Sequence, residues 1–89
     1  MVSRGRAQRE AVTVIFRLLE AVSNGNIHQA HSLLSQAMAL DEAGVNSGLL
    51  EAIGYYLESD ASADSKQKIS LHVAGTPYEV AAATLVDRE

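Results

Sequence analysis

Cysteine is absent from the chain. That removes disulfides, thiolate metal sites and a thiolate nucleophile in one step, and it fits a reducing compartment. Long apolar runs are missing too. The apolar stretch that follows the polar, basic residues Met1 to Arg9 is broken by Arg17 and Glu20, so it is too short and too charged for a membrane span. No small-residue cleavage site follows it. These features give the expectation of a cytoplasmic protein. Positive charge is scarce through the middle: residues 18–64 hold seven acids and no Lys or Arg. Glycine never gathers into a loop that would cradle phosphate before a helix, and no serine sits on a strained strand-to-helix elbow. A chain of 89 residues also has little room for a closed, water-excluding pocket. The expectation is therefore no autonomous enzyme, no cofactor and no catalytic residue.

What is present points to one small domain whose core is marginal for its size. From about Ala7 to Ser23, Ala11, Ile15, Leu18 and Val22 recur at helical spacing. Val12, Phe16 and Leu19 widen that face, with Val14 and Ala21 beyond them. Only Glu10, Thr13, Arg17, Glu20 and Asn24 form a polar strip. A helix apolar over more than half its girth needs cover on two sides. The expectation drawn from this is a homodimer, with Val12, Ile15, Phe16 and Leu19 at its interface. Phe16 is the only Phe in the chain and the natural anchor.

A second helix follows the Ser23-Asn24-Gly25 stop, with Asn26 as its cap and Gln29 three residues on. Its apolar face is read as Ile27, Ala30, Leu34, Ala37 and Met38, and its end falls near Glu42. So short a break implies an antiparallel hairpin with the first helix. A third helix begins after Val45-Asn46, with Asn46 as cap and Val45 stapled to Leu50. Gly54 inside it costs about 1 kcal/mol of helix propensity and suits a close helix approach. Residues 59–67 read as a mobile connector. Ile69-Ser70-Leu71-His72-Val73 alternates apolar and polar, the mark of a short strand. Thr76-Pro77-Tyr78-Glu79 is a helix start, running on to about Asp87, with a second strand and a hairpin as the alternative. The expected fold is mainly α: three to four short helices and one short C-terminal strand, paired in the dimer because a lone strand is rarely stable.

Three sets of residues are candidates for function. Glu51, Tyr55 and Glu58 share the outer row of the third helix, and tyrosine is a favoured interface anchor. An acidic row suits docking on a basic protein surface, so the leading expectation is a non-catalytic regulator, adaptor or inhibitor that binds a partner protein. Arg4 and Arg6 in a flexible basic arm spanning residues 1–6, with Arg9 after it, support the alternative of a small dimeric nucleic-acid-binding regulator. A net charge of -4 weighs against it. His28 and His31, with His72, could share a metal, but three-residue spacing is not the usual helical zinc spacing, so no metal is expected. Asp60-Ala61-Ser62-Ala63-Asp64 opens like a calcium loop, but Ser65 and Leu71 stand where such a loop needs Gly and Glu.

Overall fold

The computed structural model describes residues 4–41, 43–58 and 63–87. These form five helices: α1 (Arg4–Ser23), α2 (Ile27–Leu40), α3 (Ser47–Glu58), α4 (Ala63–Val73) and α5 (Tyr78–Asp87). Each helix packs on its neighbour in sequence, and α5 closes the ring by packing on α1.

The α1 pattern survives intact. Ala11, Ile15, Leu18, Leu19, Ala21 and Val22 are buried, and Glu10, Thr13, Arg17, Glu20 and Asn24 are exposed. The cover on two sides comes from within the chain, α2 on one flank and α5 on the other. Ile15 and Leu19 are fully buried in the monomer's own core, and Val12 and Phe16 pack at its edge. The chain thus supplies its own cover for much of the apolar girth of α1: of the four residues expected at a dimer interface, Ile15 and Leu19 are buried within the chain, and Val12 and Phe16 are half-buried beside them. Phe16 meets Tyr78 of α5, ring centroids 5.1 Å apart and tilted by 55°. That contact fastens the C-terminal helix to the first.

The turns follow from glycine. Gly25, at φ 78°, ends α1 in a Schellman arrangement: its N–H donates to the Val22 carbonyl at 3.1 Å and the Asn26 N–H donates to the Ala21 carbonyl at 2.9 Å. The Asn26 side chain makes no capping hydrogen bond. Asn46 takes the cap position of α3, its carbonyl accepting from the Leu50 N–H, but its side chain is turned elsewhere. The Asn46 N–H and carboxamide donate to the two oxygens of Asp41 at 3.0 and 3.3 Å, clamping the α2–α3 turn. Val45 stays 65% exposed, so it does not act as a staple.

The expected strand is corrected: residues 69–73 are the last turns of α4, and no strand occurs among the described residues. Five alternating residues satisfy either period, because Ile69 and Val73 are both two pleats and one helical turn apart. In the fold Ile69 and Val73 are buried, and Leu71 between them is 72% exposed. Ser65 is fully buried four residues before Ile69 and extends the row backward. A serine in that place hid the helix, so its first turn passed for connector. Residues 59–62 of that expected connector, and with them most of the Asp60–Asp64 segment, lie outside the described residues. So do residues 1–3 of the expected arm, whereas Arg4 and Arg6 belong to the start of α1.

The start of α5 follows the sequence reading. The Tyr78 N–H donates to Thr76 Oγ1 at 3.2 Å, and that hydroxyl donates to the Val73 carbonyl at 2.6 Å. Glu79 reaches back to accept from the Gly75 N–H at 3.1 Å. The core that results joins Ile15, Leu18 and Leu19 to Leu33, Leu49, Leu50, Ile53, Ile69 and Leu85.

Candidate functional site

α3 buries Leu49, Leu50, Ala52 and Ile53. Its opposite side carries Glu51, Tyr55 and Glu58, all exposed and set at i, i+4 and i+7, which makes them one surface row. α4 lies beside this row and adds a residue that the sequence reading missed. Lys68 Nζ sits 4.3 Å from the centre of the Tyr55 ring. The same ammonium lies 3.9 Å from Asp64 Oδ2, one turn back on α4. Lys68 thus lies between the ring and a carboxylate one turn back on its own helix. Tyr55 remains 42% exposed, with one face of its ring covered by the cation. The row is mixed in charge rather than purely acidic. Lys68 fell in the stretch read as connector and strand, where no spacing argument could bring it to Tyr55.

The other candidates separate. Arg9 is exposed on α1 beside a groove of about 550 Å³ between α1 and α2, lined also by Glu10, Thr13, Val14, Gln36 and Leu40. A second hollow of about 360 Å³, lined by Arg17, Glu20, Ala21, Asn24, Asn26 and Gln29, flanks the α1–α2 turn. His28 and His31 are exposed on α2. His72 lies on α4 with its ring against Gly48 of α3, where a β-carbon would come within 2.6 Å of Cε1. This, and not Gly54, is the glycine with a close neighbour: a β-carbon at Gly54 would make an ordinary 3.6 Å contact with Leu34. Among the described residues no three His, Cys, Asp or Glu side chains are grouped to hold a metal ion.

One buried polar group stands apart from these surfaces. The Tyr78 phenol is held above its ordinary value of 10.0, first by burial and then by the Asp41 carboxylate. Tyr78 joins the α2–α3 turn to α5 through this neighbourhood and to α1 through Phe16. No helix among the described residues is long and apolar enough to cross a membrane. Compared with protein-family models, with curated proteins and with solved structures, the chain matches none.

Proposed function

We propose that the protein is a non-catalytic binding module that docks a partner protein on the outer row of α3, through Glu51, Tyr55 and Glu58. The observation that carries this reading is the Tyr55 ring, exposed to solvent yet pinned on one face by Lys68 at 4.3 Å. A cation over one face restrains the ring before a partner arrives, which lowers the ordering cost of binding. Tyrosine is among the residues that dominate interface energetics, and the flanking carboxylates suit a basic rim on the partner. The partner is thus expected to present a basic surface with an apolar or aromatic recess for the ring.

The test is affinity capture from native lysate with the wild-type chain, Tyr55→Ala, and the double variant Glu51→Lys/Glu58→Lys. A partner retained by the wild type at low salt should be lost with Tyr55→Ala and with the charge reversal, and should weaken as salt rises. Capture that survives both variants would place the binding face elsewhere.

A further inference from the structure

Lys68 uses only part of what surrounds Tyr55. Its ammonium lies over the ring, and the carboxylate beside it is Asp64 of its own helix. Glu51 and Glu58 lie one helical turn to either side of Tyr55 on α3, where residues three and four apart are neighbours. Among the described residues neither of them forms an ion pair. α3 carries no Lys or Arg of its own, so the cation on the ring is one brought across from α4. Its hold is loose. The Lys68 and Asp64 side chains are 51% and 68% exposed and 3.9 Å apart, and exposed pairs of this kind contribute little.

We propose that Tyr55, Glu51 and Glu58 form a slot for an arginine side chain of the partner, with Lys68 as the chain's own competitor for it. This rests on the reading of the α3 row as the docking surface and names the group that meets the ring. The ring already seats a cation, so its chemistry is on view in the fold. The two carboxylates that Lys68 leaves unpaired call for a wider donor. A guanidinium is planar and weakly hydrated, stacks on an aromatic face, and still has N–H groups at its edge to donate to a carboxylate. A compact ammonium serves the ring or a carboxylate less well together. Exchange of one cation for the other keeps the ring restrained throughout. Lys68 sets a threshold for that exchange. An exposed contact of this kind favours the seated over the open state by about 2–5 to 1. The slot is then open about a sixth to a third of the time, which weakens an incoming arginine about three- to six-fold.

NMR of the full chain carrying isotope-labelled tyrosine follows the ring directly, with Tyr55→Leu giving its assignment. The probes are an acetylated Gly-Arg-Gly amide and the same peptide with citrulline, the uncharged isostere of arginine, each titrated to about 20 mM. The arginine peptide should shift the Tyr55 ring signals and the citrulline peptide should not. Lys68→Met should tighten the arginine peptide about three- to six-fold with an unchanged helical spectrum. Lys66→Met removes the same charge from the same helix and should change the affinity by less than about two-fold, as a screened surface charge does. Ring signals that stay put in Lys68→Met up to about 20 mM would overturn the proposal. So would equal affinity in Lys68→Met and wild type, an equal gain in Lys66→Met, or citrulline binding as well as arginine. The docking reading fails separately: lysate capture that survives Tyr55→Ala refutes it, whatever the peptides do.

Discussion

Replacing Gly48 by alanine tests the contact between α3 and α4 directly. Gly48 is the second residue of α3, and glycine in a helix costs up to about 1 kcal/mol relative to alanine. In an isolated helix Gly48→Ala should therefore stabilise. Here the new β-carbon would lie 2.6 Å from His72 Cε1 and 2.9 Å from Nδ1, closer than real contacts allow. The His72 ring is at the surface and can swing away, so the clash costs a displaced rotamer and its packing, about 0.5–1.5 kcal/mol. The two effects nearly cancel. Gly48→Ala should change stability by less than about 0.5 kcal/mol in the native chain, yet stabilise the His72→Ala chain by about 0.5–1 kcal/mol. Urea denaturation of the wild type, both single variants and the double variant closes the cycle. The expected coupling is about 1 kcal/mol. A coupling below about 0.3 kcal/mol, within ordinary additivity error, would refute the claim that the ring occupies the space the glycine leaves.

Three further outcomes follow from the packing. Phe16→Ala should cost about 2–3 kcal/mol, below the full cost at a buried site because the ring is only half-buried, whereas exposed Arg17→Ala should cost less than about 0.5 kcal/mol; chemical denaturation compares them. Tyr78 has its phenol value raised on folding, so its share of stability is whole below pH 10.0 and is lost as pH rises through the raised folded value. Tyr78→Phe should remove that alkaline dependence, as thermal melts across pH 9–11 would show, where pH is set about the ordinary phenol value. Asp41→Ala leaves two Asn46 donors without their acceptor and should cost about 1–2 kcal/mol, read by denaturant midpoint.

The first three helices were legible because each carries a long apolar period closed by a glycine or a cap. The polar strip of α1 was read residue for residue, and the Thr76-Pro77-Tyr78-Glu79 start of α5 made the bonds its chemistry suggests. The losses have definite causes. At α4 a buried serine broke the hydrophobic row, and the remaining Ile69 and Val73 fitted two periods equally well. On α2 the apolar residues span so wide an arc that the core line of Ala30, Leu33 and Ala37 was not told from the outer line through Ile27, Leu34 and Met38, and Leu33 was left out. The argument from the girth of α1 counted the needed cover without foreseeing that the C-terminal helix would supply part of it from within the chain. The α3 row was legible as a row, but Lys68 comes to Tyr55 only through the packing of α4, which no local pattern contains.

The closure of the helix ring by Phe16 and Tyr78 bears on how the chain reaches its structure. Among the described residues, every close helix pairing joins sequence neighbours except α1 with α5. Neighbour pairings close short loops and form early, and chains rich in them fold in microseconds to milliseconds. The α1–α5 pairing spans most of the chain and carries the largest loop-closure cost, so its docking is the expected late step. Before that step, the flank of α1 that α5 covers is bare, and Phe16 offers an apolar surface to any other unfinished copy. Docking of α5 covers that flank last on this account, and amide exchange should find α5 the first helix to open.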